Sequence, residues 1–567
     1  MDFDVNRNDA FESDYDIMNS QCFYANNFEM EERLMDKSCD VLVLGGGGAG
    51  LTAAARIATL SDLKVTVLEK ADFLGGGAIQ AGDYRVYNSQ WQKKRGLDDK
   101  LEEDLLKYMD DTNWLLDAKL VSNTFFATGR FFDWLCTFSP DVADHYEPGR
   151  YIFDMPDQGP IVPAYKSTGR ARGGTYAAKL LIAQCKKLGV ELLTKTPVKD
   201  VLVEDGKIIG AVAEHEGKIF TISCRACILA TGSWINNQEI LEKANPKYAK
   251  IDPGPIVKGG HRSSAYTGDG IALAKKVGAF LDYDSFVLRL MGPLAMMPGQ
   301  TISSMSNHPY ALEVNLNGKR WTCEPSQVRM GVFRSGHLLA EQPEGISYVV
   351  FDQNTMEAAA KEAKEHPGTG YGGFFGHPSF PEDPMSDLMD TIAGKAKMPF
   401  GPPSEDGKPR EAPKGEKKEE GVTDGAAPMQ GMNKLFRAET IPELAEKMGV
   451  PVGALTKTIE DYNSYCQKGF DEEFFKPAKN LVPLTGPYFA LRCNLGTDGA
   501  FGGVKVNPDM QAYKDGGGLV EGFYVVGDFA SGRFINDLGF KRQIINDLSW
   551  AFASGLIAGE SAVEYLK

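Results

Sequence analysis

Residues 39 to 70 read CDVLVLGGGGAGLTAAARIATLSDLKVTVLEK, and no other stretch constrains the fold as tightly. An apolar, β-branched run from Val41 to Leu44 enters Gly45-Gly46-Gly47-Gly48-Ala49-Gly50. A helical stretch then leads into a second apolar run, Val65 to Leu68, ending in Glu69. Each part has a mechanical task. Gly45 allows the tight turn, Gly47 lets the backbone approach a pyrophosphate, and Gly50 lets helix and strand pack closely. The helix N-terminus offers unpaired N–H groups and its dipole to phosphate anions. Glu69 stands nineteen residues past Gly50, where an acid accepts hydrogen bonds from a ribose diol. A glycine-rich turn alone would say little. Strand, glycines, helix, strand and acid in register predict a dinucleotide-binding unit.

Two later segments narrow the ligand. Residues 226–233, ACILATGS, form an apolar strand running into a Thr-Gly turn, and residues 522–530, GFYVVGDFA, form another ending in Gly527-Asp528. Either could be an ordinary core strand. Together and in this order they resemble the two-dinucleotide-fold flavoproteins, which implies FAD as cofactor.

Further motifs resemble the fumarate reductase/succinate dehydrogenase flavoprotein family in its soluble branch, over most of the chain from about residue 39. They are GGGAIQAG (75–82), YTGDGIALAKKVGAFL (266–281), EVNLNGKRWTCE (313–324) and GPYFALRCNLGTDGAFGGVKVN (486–507). The last is also similar to a segment of the 3-ketosteroid dehydrogenases. The resemblance implies an α/β fold, a Rossmann-like FAD-binding domain with an inserted α+β capping domain. It implies FAD contacts from Gly45, Gly47, Gly48, Ala49 and Gly50 in the first turn and from Glu69 and Lys70 after the second strand. Gly76, Gly77, Ala78, Gln80, Ala81 and Gly82 would wrap the flavin. The backbone of Val198, the turn Ala230, Thr231 and Gly232, and Asp269 would follow, then Gly527, Asp528, Arg542, Gln543 and Ile544. Members joined covalently to flavin use a histidine in the wrapping loop. Here GGGAIQAGDYRVY has none, so FAD is expected to bind non-covalently.

Composition limits the partners. The chain has 567 residues, 43% hydrophobic and 24% charged, with a formal net charge of −16. That is enough chain for two or three packed units. Net negative charge disfavours nucleic acid or an anionic membrane as partner. No apolar run of about 18 residues suggests a membrane span. The acidic N-terminus lacks a basic region followed by an apolar core, so a cytoplasmic location is expected. The nine cysteines then read as reduced thiols, the Cys224/Cys227 pair as core thiols, and no metal site is expected.

Along the chain, residues 1–38 read as an N-terminal extension and 39–250 as the first part of the FAD-binding domain. A capping domain over 251–484 follows, and the FAD-binding domain returns over 485–567. Residues 394–428 are rich in Pro, Gly, Lys and Glu with few large apolar groups, and read as a solvated insertion. GTGYGG (368–373) follows a proline rather than a strand and reads as a loop, not a phosphate cradle.

The resemblance implies hydride transfer between flavin N5 and a carbon–carbon bond. Soluble fumarate reductases clamp two carboxylates with a histidine and arginines. Here the matching places hold about Asp498, Asn307 next to His308, and Asp537 or Leu538. A carboxylate facing a carboxylate in a dry pocket costs roughly 4 kcal/mol at an intermediate dielectric. Fumarate and succinate are therefore disfavoured. Arg329, one residue late for the family's proton-donating arginine, is the candidate acid, and a salt-bridging role weighs equally. Tyr488, one position early for the steroid enzymes' tyrosine, is a candidate to polarise a carbonyl. Arg542 is a candidate to stabilise reduced flavin, with a plain surface charge as the favoured alternative. Phe286, Met291, Met296, Met297 and Tyr310 suggest an apolar pocket, or ordinary core. The expected activity is reduction of an enone or enoate of steroid, bile-acid or polyphenol type. The alternatives are a ketosteroid-like dehydrogenase and a non-catalytic electron carrier. The electron donor stays open among NAD(P)H, reduced flavin and a redox protein.

Overall fold

The computed structural model describes residues 37–80, 83–97, 100–142, 146–149, 164–167, 173–244, 265–294, 299–306, 308–330, 332–365, 380–396, 434–532 and 547–567. Its centre is a six-stranded sheet in the order Gln511–Tyr513, Leu519–Val525, Ala226–Leu229, Val41–Leu44, Val65–Leu68, Glu191–Leu193. All neighbouring pairs are parallel except the first. The short runs VLVL, VTVL and ACIL are buried at every position, as strands covered on both faces must be.

Helix Gly48–Leu60 covers one face, and against it lies the closing helix Asp547–Leu566. Both are rich in small residues where they meet. A Cβ on Gly555 would stand 2.3 Å from the carbonyl oxygen of Ala49, so the two backbones nearly touch. Helix Ala118–Leu135 packs on the other side of the closing helix, where Phe131 stacks on Phe552 with ring centroids 4.4 Å apart.

A second sheet of four strands lies beside the first and contains Val198–Glu204, Lys207–His215 and Lys218–Ser223. Its fourth strand is Lys37–Ser38, pairing parallel with Ile222 and Ser223. The last two residues of the expected N-terminal extension thus belong to the fold, because they complete a sheet edge. The capping unit is built on Val287–Leu294, Tyr488–Phe501, Ile346–Phe351 and Leu312–Asn315, with Leu435–Ala438 pairing to the long strand. Tyr488–Phe501, read from the sequence as part of the returning FAD-binding segment, is antiparallel to three strands of this sheet.

Most of the 394–428 insertion and all of GTGYGG lie outside the described residues. Both cysteines of the CxxC are buried free thiols, and burial pushes their pKa values up.

The helix contact yields a test. Replacing Gly555 by Val should force the closing helix off the first helix and cost about 1–3 kcal/mol, the size of an overpacked core. Urea unfolding of the variant measures it, and an unchanged midpoint would show that the helices separate without cost.

Candidate functional site

The nucleotide cradle forms where four chain segments meet above the parallel strands. Gly45 leaves its strand with φ +113, a conformation open to glycine, and its N–H donates to the carbonyl of Leu68 at 2.8 Å. A Cβ on Gly50 would lie 2.0 Å from the Gly45 carbonyl oxygen, so the turn and the helix start are locked together. The Ala230 N–H donates to Leu44 at 2.8 Å, bringing Ala230, Thr231 and Gly232 against the same turn. The last strand arrives beside Ala49: Val526 N–H donates to Leu229 at 3.0 Å, and Gly527 N–H donates to Ser554 Oγ at 3.0 Å. Trp550 Nε1 donates to the Gly527 carbonyl at 2.8 Å, which fixes the Gly527-Asp528 turn to the closing helix.

The wrapping loop is held at the same place. Gly75 N–H donates to Gly46 at 2.8 Å, and Gly76, Gly77 and Ala78 follow in a 3₁₀ turn. A Cβ on Gly76 would stand 3.0 Å from the Cα of Gly47, so the two glycine segments face one another bare of side chains. Gln80 ends the turn with its side chain outside the described residues, and Ala81 and Gly82 lie outside them entirely.

Glu69 marks the ribose end. Its Oε2 accepts from Gly46 N–H and its Oε1 from Ala71 N–H, each at 2.8 Å. Burial pushes this carboxyl above its ordinary pKa, against the pull of those two hydrogen bonds. Each carboxyl oxygen has a lone pair beyond these bonds with which to meet a ribose hydroxyl. Thr231 Oγ1 is buried and makes no hydrogen bond among the described residues. A bare glycine channel, a buried acceptor pair and this hydroxyl fit FAD. Gly45, Gly47 and Gly48 to Gly50 would cradle its pyrophosphate, Glu69 its ribose, and Asp528 its ribityl side.

Lys70 and Asp269, both expected near the cofactor, pair with each other. Lys70 Nζ lies 2.7 Å from Asp269 Oδ2 and donates to Thr267 Oγ1 at 2.6 Å. The pair ties the end of the second strand to helix Asp269–Lys276. Val198 opens its strand, opposite Ala213.

Several groups at the site went unmarked in the sequence. Tyr266 presents its hydroxyl to the wrapping loop, where a Cβ on Gly77 would stand 2.8 Å from it. Its place directly before TGDG was the available signal. Beside Asp528 lies a small cleft, about the size of one water, lined by Ser285, Phe501, Gly502, Ala530, Ser531 and Trp550. Ser531 Oγ donates to Asp282 Oδ2 at 3.0 Å, and burial pushes the Asp282 carboxyl above its ordinary pKa. No spacing pattern pointed to Asp282.

Tyr488 stands at the end of its strand away from Asp528. It begins the long cap strand, whereas Phe501 at the other end adjoins Asp528 through Gly502 N–H. At about 3.3 Å per residue the strand separates the two ends by at most roughly 40 Å, less the bend at its irregular pairing with Val287–Leu294. The Tyr488 ring packs instead in the cap's own core. Phe286 is a buried core residue whose ring packs at a tilt against Trp234 and Tyr283. Tyr310 is partly buried and stacks on His308. Arg329 lies on helix Glu324–Met330 and Asp498 on the long strand, both with side chains outside the described residues, as is that of Met291. Asn307, Met296, Met297, Asp537, Leu538, Arg542, Gln543 and Ile544 lie wholly outside them.

The helix carrying Arg329 is anchored by a buried ionic cluster. Arg320 bridges Glu324 at 3.0 Å and Asp471 at 2.9 Å, with all three side chains at most 1% exposed. Its guanidinium also lies over the rings of Phe474 and Tyr462. Lys476 Nζ donates to Ala311 at 2.8 Å and stands 3.5 Å from Glu324. Glu313 is a third carboxyl beside two cations, and its side-chain partner is the Gln327 amide, Nε2 to Oε2 at 2.8 Å. Burial pushes Glu313 up to about 8, with Glu324 adding to the shift.

Two tests follow from this geometry. Glu69→Ala should weaken FAD binding by about 1.5–3 kcal/mol, the worth of hydrogen bonds to a charged acceptor. Flavin fluorescence titration reads it, and unchanged affinity would remove Glu69 from the ribose site. Glu313 titrates near 4.5 when solvated and near 8 when buried, so the folded chain keeps a proton that the unfolded chain releases. Stability from this group is complete below pH 4.5 and is lost as pH rises through 8. The melting temperature of the wild type should fall more steeply across that window than that of Glu313→Gln. Parallel curves would show that Glu313 holds no extra proton.

Comparison with known proteins gives the family. Residues 40–536 match the family described as FAD binding domain. A vinyl phenol reductase of Lactiplantibacillus plantarum is 26% identical over 545 residues, spanning 93% of this chain and 97% of that protein. A urocanate reductase of Eggerthella lenta is 25% identical, spanning 92% and 74%. Among solved structures, the open conformation of a flavocytochrome c3 fumarate reductase superposes with a TM-score of 0.63 at 21% identity, over 94% of this chain and 79% of that one. A 3-ketosteroid delta1-dehydrogenase from Sterolibacterium denitrificans gives 0.63 at 18% identity, over 93% and 100%. With the glycine turn, the acid and both later strands converging on one cradle, this chain belongs to the FAD binding domain family and is an FAD-dependent oxidoreductase.

Proposed function

We propose that the enzyme reduces a carbon–carbon double bond conjugated to an uncharged group, such as a phenol or a ketone, rather than the double bond of a dicarboxylate. The observation that carries this reading is His308, the imidazole beside the position where the resemblance leads one to look for a carboxylate-binding arginine. Burial among Tyr310 and Phe380 and the nearby charge of Lys476 hold its pKa down to about 3. It is neutral at physiological pH and gives no cationic clamp. The vinyl phenol reductase, matched along almost its whole length, acts by its name on an alkene joined to a phenol ring. That supports an aryl alkene or an enone over fumarate.

FAD, held without a covalent bond, would supply the hydride for one alkene carbon. The chain's own task is to hold the alkene flat against the flavin, exclude water, and deliver one proton to the other carbon. Arg329 is the proposed proton donor. Its helix is pinned at Glu324 by Arg320, so the guanidinium would be presented from a fixed base. An arginine can act as an acid only where carboxylates lie close enough to take up and return its proton. Asp498 would act by exclusion, since a carboxylate on that strand repels a substrate carboxylate.

The test is anaerobic reoxidation of the reduced enzyme by 4-vinylphenol, a neutral cyclic enone and fumarate under identical conditions. The phenol or the enone should restore the oxidised flavin spectrum fastest, and Arg329→Ala should slow that step by orders of magnitude with FAD still bound. Fumarate reacting fastest would overturn the substrate reading, and a mild effect of the variant would leave Arg329 a structural residue.

A further inference from the structure

We infer that His215 reads the adenine of FAD, its Nε2 accepting a hydrogen bond from the exocyclic amine. The inference rests on the nucleotide fold and not on the substrate reading. In a dinucleotide fold the pyrophosphate lies at the first helix and the ribose at the acid ending the second strand, so the base must lie beyond that acid. Beyond Glu69 the chain is zipped to one segment. Glu69 N–H donates to Leu193, Thr196 N–H donates to the Glu69 carbonyl, and Lys195 N–H donates to Ala71, each at 2.8 Å. The surface next to the ribose acid is therefore Thr194 to Val198.

His215 comes to this surface from the neighbouring strand. It ends Lys207–His215, where Ala213 pairs with Val198 and Glu214 N–H donates to Pro197 at 3.1 Å. Side chains alternate along a strand. Ala211 and Ala213 are fully buried on the inner face, so His215 shares their face, towards the nucleotide fold. Glu214 takes the other face and pairs with Lys199 at 2.9 Å.

The hydrogen bonds determine which ring nitrogen is offered. Thr196 is wholly buried, and its hydroxyl donates to the Thr194 carbonyl at 2.8 Å. The same Oγ1 lies 2.7 Å from His215 Nδ1. A hydroxyl has one proton to give, and here it goes to Thr194. Nδ1 must then carry the ring's proton and donate to Thr196. In the neutral ring Nε2 is left as an acceptor, turned away from Thr196 on a ring held at its other end. An acceptor at the base end of the site suits adenine, whose exocyclic amine is a donor, and does not suit hypoxanthine, which carries an oxygen there.

The experiment is a cycle between residue and ligand. Full-length protein is stripped of flavin and titrated with FAD and with the analogue in which hypoxanthine replaces adenine, following flavin fluorescence. The wild type should prefer FAD about tenfold, the worth of one hydrogen bond. His215→Ala should bind FAD about tenfold more weakly and show no preference. His215→Gln, whose amide oxygen can accept, should recover part of it. The same ratio of the two affinities in His215→Ala as in the wild type would overturn the inference. Should that variant not fold, the wild type alone still decides against it if it releases FAD and the analogue at equal rates.

Discussion

Everything in the flavin-binding half depends on how closely backbone can approach backbone around the first turn. The Gly45 carbonyl faces Gly50 and the Ala230 carbonyl faces Gly45, each at a separation that any side chain would break. This contact sets the height of helix Gly48–Leu60 over the sheet. It therefore sets where the helix N-terminus points its N–H groups and where the closing helix can settle, with Gly555 against Ala49. The anion site and the core packing are two consequences of one steric condition. Loss of it would cost both, which is why cofactor retention and folding stability are not separable at Gly50.

The cap is organised on another principle. Its core includes a guanidinium, an ammonium and three carboxyls, all buried. Taking such groups out of water is costly, and the mutual attraction of charges offsets that only where every partner is in place. Arg320 meets that condition with Glu324, Asp471 and two aromatic faces. The cluster joins the strand Leu312–Asn315, the helix bearing Arg329 and the loop before Pro477, segments far apart in sequence. Apolar packing alone would let that helix slide, whereas directional bonds to Glu324 and Gln327 hold its register. Glu313, left without a cation of its own, keeps a proton, and this makes the scaffold sensitive to alkaline pH.

The first turn, Glu69, the ATG strand and the Gly527-Asp528 strand were legible because each is a local device. A glycine or an acid at a set offset from a strand does its work within a few residues, and the short apolar runs had to be strands buried on both faces. The motif around Tyr488 records a sequence neighbour and not a position along a strand of 14 residues. Lys70 and Asp269, both read from the sequence as cofactor contacts, have their charges spent on one another. Asp282 gave no recognisable spacing, since it reaches the site from a loop that only the fold brings there.

The sequence by itself determined the cofactor class, the parallel sheet and the order in which chain segments return to it, because those follow from periodicity, glycine placement and the acid at the strand end. Tertiary structure decided which groups face one another. It put the long strand Tyr488–Phe501 against Ile346–Phe351, buried His308 so that its pKa is pushed down, and stood His215 beside Thr196. Those outcomes depend on desolvation and on contacts between residues distant along the chain, and neither quantity exists until the chain is folded.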